Sequence, residues 1–225
     1  MTWLATTTAL SIIGLFAAGV SGAIGPGSTG CVDDTIDAMQ RRYESISDLR
    51  ADFVQTTRTV ALSGSAQDET ARGTVVFAKP AKMRWSYTEP EPSLTVSDGE
   101  TLWLYDPARA EVQRMTGISS YFSGAAVQFL IGKGDVRRDF EVAELACTAD
   151  YGELELRPRE DSSFEKLVVR VDRETGELRR SVIVDLVGNR TEVEFSNVVA
   201  NQAPDDGVFR FTPPKGVEVI DLNAR

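Results

Sequence analysis

Ser93-Leu94-Thr95-Val96-Ser97-Asp98-Gly99-Glu100-Thr101-Leu102-Trp103-Leu104-Tyr105-Asp106-Pro107 is the stretch that decides the fold class. Apolar and polar residues alternate on both sides of Asp98-Gly99, which is the period of a half-buried β-strand. Asp-Gly supplies the positive φ angles of a type I′ turn, so the stretch predicts a tight antiparallel hairpin. Leu94 and Val96 before the turn and Leu102 and Leu104 after it are expected on one inward, apolar face.

The same signature repeats in both directions. From Ala51 onward the period is two, and turn signals at Asp106-Pro107, Thr175-Gly176 and Gly188-Asn189 separate further alternating runs. Among these runs are Leu167-Val169-Val171, Val182-Val184-Leu186 and Val193-Phe195. The count comes to about eleven strands in one large antiparallel sheet, and a twisted sheet of that size curls toward a barrel. The fold class is therefore mainly β with some helix (α+β): an unclosed antiparallel β-barrel. Met83, Trp85, Tyr87, Leu94, Val96, Leu102, Leu104, Leu167, Val169 and Val182 would line its inner side. Alternation alone does not distinguish a filled interior from a hollow one.

Two segments break the strand period. Ile36, Met39, Tyr43, Ile46 and Leu49 fall three or four residues apart, opposite Asp37, Gln40, Arg41, Glu44 and Asp48; this spacing predicts an amphipathic helix capped by Asp33 or Asp34. Ile118, Tyr121, Phe122, Ala125, Ala126, Phe129 and Leu130 form a second helical stripe, nearly uncharged, expected to lie against the sheet.

Residues 1–23 carry no charged side chain and contain an apolar core from Leu10 to Val20, the pattern of a cleaved export signal. Residues 24–31 read as a flexible Gly/Ser/Pro-rich leader and residues 32–225 as a single domain with a full core. Export allows Cys31 and Cys147 to form a disulfide. Ser28-Thr29-Gly30-Cys31 also reads as a lipoprotein cleavage site with Cys31 acylated, and the sequence leaves both readings open. The 34 acidic and 24 basic residues give a net charge of −10, which argues against nucleic acid as a partner.

The chain contains no histidine. That removes the commonest general base, the commonest metal ligand and every Ser-His-Asp arrangement. Two cysteines do not make a thiolate metal site, and no GxSxG, P-loop or GxGxxG occurs. The reading is a binding protein and not an enzyme, with no catalytic residues, no metal and no cofactor.

Three stretches together resemble one family: Ala51-Asp52-Phe53-Val54-Gln55; the block from Gly73 to Pro107, with Lys79-Pro80, Arg84-Trp85, Val96-Ser97-Asp98-Gly99 and Tyr105-Asp106-Pro107; and Phe209 to Val217. They are similar to LolA, the periplasmic outer-membrane lipoprotein carriers. The resemblance implies a helical lid over an apolar cavity that shields acyl chains between the inner and outer membranes. Carried over by position, Met39, Tyr43 and Ile46 would face the cavity from the first helix, and Phe122, Ala126, Phe129 and Leu130 from the second. Met83, Trp85, Leu94, Val96, Leu102 and Leu104 would line the sheet. Each of these fits plain core equally well.

Lys79 stands where the family often has an arginine that hydrogen-bonds the lid. Lysine keeps the charge but loses the planar five-donor fork. The resemblance further implies a periplasmic monomer with acylated lipoproteins as cargo, an inner-membrane lipoprotein-releasing ABC transporter that loads it, and an outer-membrane receptor lipoprotein that unloads it. Two other readings remain: a membrane-anchored receptor for lipid or lipoprotein with the same fold, and a periplasmic sensor or scaffold that binds a regulatory partner.

Overall fold

The computed structural model of the protein describes residues 29–60, 67–117 and 134–223. Helix α1 (Thr29–Ser45) is followed by β1 (Asp48–Thr59), β2 (Gln67–Ala78), β3 (Lys82–Glu89), β4 (Ser93–Ser97), β5 (Thr101–Asp106) and β6 (Glu111–Thr116). A single helical turn, Val136–Asp139, leads into β7 (Phe140–Cys147), β8 (Tyr151–Pro158), β9 (Phe164–Asp172), β10 (Leu178–Asp185), β11 (Arg190–Ala200) and β12 (Glu218–Asp221). All strands join one 12-stranded sheet in the order β12-β6-β5-β4-β3-β2-β1-β11-β10-β9-β8-β7. β7 and β12 are its edges, so the barrel is unclosed. Every pairing is antiparallel except β12, which runs parallel to β6. This last strand exceeds the count of eleven, because a four-residue run carries too little alternation to be read from sequence.

The Asp98-Gly99 hairpin forms, but one residue out of the expected turn. Leu94 pairs with Tyr105, Val96 with Trp103 and Ser97 with Leu102, so the turn centres on Gly99-Glu100. Gly99 has φ 101°, and the Asp98 carboxylate accepts from the backbone N–H of Glu100 and Thr101 (2.9 and 2.8 Å). Residues paired across strands share a face, so Leu94 and Val96 lie with Trp103 and Tyr105, opposite Leu102 and Leu104. The expectation of one common inward face is corrected here. A two-residue turn at Asp98-Gly99 would give the same parity, since it too pairs an even-numbered residue with an odd-numbered one.

On the inner face, Met83 continues through Ser97 to Leu102, and Trp85 through Thr95 to Leu104. The apolar core runs along this side from α1 (Ile36, Met39, Tyr43) and Ile46 just beyond it through Ala51, Phe53 and Val75 to Leu154, Leu156, Leu167, Val169 and Val193. Burying each large α1 side chain contributes about 1.5–3 kcal/mol, which holds the helix down better than its intrinsic propensity would.

The outer face is covered at one end by the chain's own C-terminal segment. Phe211 packs its ring on Trp103 and Tyr105 (centroids 5.8 and 5.5 Å apart), and Val96, Val112 and Phe209 are almost completely buried. Arg84 donates to the Val208 carbonyl (3.1 Å) and Lys82 bridges to Asp206 (2.6 Å). Over β8–β11 the outer face is charged, with Arg180 paired to Glu153 and Glu192 and Lys166 to Glu155. Val182 also points outward, between its cross-strand partners Val168 and Glu192. Its assignment to the inner side is likewise corrected.

α1 ends at Ser45, earlier than the apolar spacing suggests. Asp48 and Leu49 therefore begin β1, and Asp48 is buried, its carboxylate accepting from the backbone N–H of Gln202 and Ala203. The helix begins at Thr29, so Asp33 and Asp34 lie inside it instead of capping it. Cys31 near its start is disulfide-bonded to Cys147 at the end of β7, with Cα atoms 6.5 Å apart.

Candidate functional site

Phe53 is the centre of the hollow. It lies on β1 between two neighbours of the same face, with Trp85 at 4.7 Å and Tyr87 at 5.1 Å between ring centroids, both edge-on. Phe77 and Phe195 extend the cluster around Trp85 (5.9 and 6.4 Å). Gly73, the cross-strand partner of Phe53, makes room for that ring: a Cβ there would stand 2.0 Å from the Ser86 carbonyl oxygen and 3.0 Å from Phe53. A bare backbone at that point of the sheet is what the cluster requires.

Beside the cluster, under the C-terminal end of α1, a cavity of about 50 Å³ remains, walled by Tyr43, Ile46, Leu49, Phe77, Leu178 and Phe195. It has room for a few water-sized groups and no more. A long acyl chain does not fit in this cavity without movement of its walls. Burial raises the Tyr43 phenol well above its ordinary range, helped by the nearby Glu177 carboxylate, and burial raises Tyr87 as well. Both stay neutral, so no charge faces the apolar space from them. The Tyr87 hydroxyl donates to the Gln55 side chain (3.1 Å).

Lys79, at the start of the β2–β3 turn, closes the rim. Its ammonium donates to the carbonyls of Tyr43 (2.6 Å) and Glu44 (3.2 Å), two of the last-turn acceptors that a helix leaves without partners. A cation at this end also meets the negative pole of the helix. The Lys79 backbone N–H donates to the Ser47 carbonyl (2.9 Å), fixing the corner where α1 turns into β1.

Of the residues singled out from sequence, the structure brings Met39, Tyr43, Ile46, Met83, Trp85, Leu102 and Leu104 to the inner side of the sheet, with Lys79 at its rim. Leu104 remains 36% exposed. Leu94 and Val96 are on the outer side, under the C-terminal segment. Phe122, Ala126, Phe129 and Leu130 lie outside the described residues. Phe53, Phe77 and Phe195 were missed as lining residues, although the parity of their strands with Trp85 carried the signal. Near the disulfide, Glu144 lies within reach of both sulfurs, but sulfurs bonded to each other offer no thiolate to a metal. Among the described residues, no helix is long and apolar enough to cross a membrane.

The family model for Outer membrane lipoprotein carrier protein LolA matches residues 44–212. An outer-membrane lipoprotein carrier protein of Dechloromonas aromatica is 32% identical over 187 residues, covering 82% of this chain and 86% of the relative. One of Chromobacterium violaceum is 34% identical over 173 residues, 76% and 80% of the two chains. A solved structure of an uncharacterized conserved protein from Thermus thermophilus superposes with a TM-score of 0.52 at 14% identity, over 84% of this chain and 98% of the other; that likeness speaks to fold alone. With most of its length matched and relatives above 30% identity on both measures, the chain belongs to the LolA family of outer-membrane lipoprotein carrier proteins.

Proposed function

We propose that this protein is a periplasmic carrier that shelters the acyl chains of lipoproteins on their way from the inner to the outer membrane. The observation that carries the reading is the aromatic hollow around Phe53 and Trp85, closed over by α1 and clasped at its rim by Lys79. An acyl chain gains about 0.8 kcal/mol for each CH₂ removed from water, so a lipoprotein crossing an aqueous space requires such a shelter and no chemical step. α1 must separate from the rim to admit the chain, and Met39, Tyr43, Ile46, Met83, Trp85, Leu102 and Leu104 are the proposed contacts.

Loading by an inner-membrane lipoprotein-releasing ABC transporter and unloading to an outer-membrane receptor lipoprotein complete the proposed route, with the carrier acting as a monomer. Family membership and the absence of histidine favour binding over catalysis. The Cys31–Cys147 bond favours the carrier reading over one anchored through an acylated Cys31.

Trp85 faces the hollow while Trp103 packs on Phe211 on the outer side, so Trp103→Phe leaves one informative tryptophan in residues 24–225. Titration of that variant with a triacylated peptide bearing brominated acyl chains should quench Trp85 emission. An unquenched, unshifted emission at saturating peptide refutes the reading.

A further inference from the structure

One face of α1 is fastened to the sheet by a continuous seam that the carrier reading does not use. Cys31, Thr35, Ala38 and Arg42 follow one another at helical spacing and form a single stripe. Cys31 is bonded to Cys147 at the end of β7. Thr35, fully buried, rests on Gly152 of β8 so closely that a Cβ there would lie 2.3 Å from its Oγ1. Ala38 and Arg42 rest on Gly176 in the β9–β10 turn, where a Cβ would meet the Ala38 carbonyl oxygen at 2.2 Å and the Arg42 Cβ at 2.9 Å. Arg42 also pairs with Glu177 (3.8 Å).

Flanking contacts point the same way. Arg137, just before β7, reaches Asp33 and Asp37 (3.0 and 2.6 Å), and Arg173 in the β9–β10 turn reaches Asp34 (3.5 Å). Among the described residues, the polar reach to α1 from the opposite half of the sheet is the Lys79 ammonium at its last turn.

The approach of the helix backbone to Gly176 and of the buried Thr35 side chain to Gly152 leaves no room for α1 to slide across β8 and the β9–β10 turn without repacking. A covalent bond at the helix's N-terminal end removes the remaining freedom there. α1 is thus held along its whole length to the β7–β10 half of the sheet, and by the Lys79 ammonium at its last turn to the other half.

We propose that α1 and strands β7–β10 form one rigid body, and that the hollow opens by separation of this body from the β2–β6 half at the Lys79 clasp. Cys31, Cys147, Gly152 and Gly176 are then positioning residues for cargo uptake: they keep the helix's apolar face in register with the sheet while the rim opens. α1 is not a flap that swings free of β8 and β9. This inference rests on the carrier reading and specifies which parts move.

The test places spin labels, introduced as non-cysteine amino acids so that the disulfide survives, at Arg41 with Asp161 and at Arg41 with Glu100. Distances are measured by pulsed electron paramagnetic resonance before and after addition of a triacylated peptide. The expected result is an unchanged Arg41–Asp161 distance and a lengthened Arg41–Glu100 distance on loading. Binding accompanied by a lengthened Arg41–Asp161 distance overturns the inference and leaves the carrier reading standing. No binding of the peptide at all, judged by Trp85 emission, overturns both. In Cys31→Ser/Cys147→Ser the loaded Arg41–Asp161 distribution should broaden; one as narrow as in the parent assigns the rigidity to the glycine seam without the disulfide and overturns the role given to Cys31 and Cys147.

Discussion

Replacing Lys79 by Met keeps the bulk of the side chain and deletes the two hydrogen bonds to the Tyr43 and Glu44 carbonyls. A hydrogen bond involving a charged group contributes about 1.5–3 kcal/mol net when sheltered. Here the second bond is long and the freed carbonyls can turn to water, so the smaller figure for a cation at a helix C-terminus, up to about 2 kcal/mol, is the better guide. Taking about 1–2 kcal/mol as the clasp's bias toward the closed form, its loss raises the open fraction roughly 5–30-fold. Where opening precedes binding, uptake accelerates by the same factor. Stopped-flow mixing with a fluorescent acylated peptide reads that rate, and hydrogen exchange of the last α1 turn reads the opening itself. Lys79→Arg, with its additional donors, should shift both in the opposite direction. If Lys79→Met takes up the peptide at the parent rate with unchanged exchange, or Lys79→Arg changes neither uptake nor hand-over, then Lys79 is not a latch.

Three further outcomes follow from named contacts. Cys31→Ser/Cys147→Ser opens a loop of 116 residues and should lower stability by about 4–5 kcal/mol in the chain-entropy account, read as a lower denaturant midpoint. An unchanged midpoint removes the disulfide from the stability argument. Gly152→Ala drives a methyl into Thr35 and should cost about 1–3 kcal/mol. Because two of the three clashing atoms belong to the Thr35 side-chain tip, Thr35→Ala should restore part of that loss; strictly additive effects would show that the contact is not the cause. Glu192, hydrogen-bonded to Arg180, has its carboxyl pulled down from 4.5 to about 2. Its folded-state value lies below its unfolded one, so the pair stabilises fully above pH 4.5, by about 1 kcal/mol once solvent screening of this part-exposed pair is allowed for, and less as pH falls toward 2. Glu192→Gln should therefore flatten the acid limb of a stability–pH profile between those values and lower stability at pH 7; a profile that keeps its slope there assigns the acid sensitivity to other carboxylates.

Much of the fold is local and was legible for that reason. Alternation around Asp98-Gly99, the turn pairs at Asp106-Pro107, Thr175-Gly176 and Gly188-Asn189, and the 3.6-residue spacing of Ile36, Met39 and Tyr43 each depend on a few neighbouring residues. Together they yielded a large antiparallel sheet with a helix before it. The missing histidine and the Gly73 to Pro107 block pointed to binding and to the family. Sidedness was also available in principle: strand parity places Leu94 with Trp103, and Phe53 with Trp85, once register is counted instead of hydrophobicity alone.

What required the tertiary structure is everything set by residues far apart in sequence. Chain length cannot say that Phe209 and Phe211 return to cover the outer face at Val96 and Trp103, since a loop of any length could have carried them elsewhere. Nor does the spacing of Cys31, Thr35, Ala38 and Arg42 reveal that Gly152 and Gly176 wait for them across more than a hundred residues. Amphipathic periodicity tells that α1 has a buried side, because burial of apolar surface is non-directional. Which half of the sheet receives it, and that the helix ends on the ammonium of Lys79, was decided by close packing and by unpaired carbonyls seeking donors, which are properties of the assembled molecule.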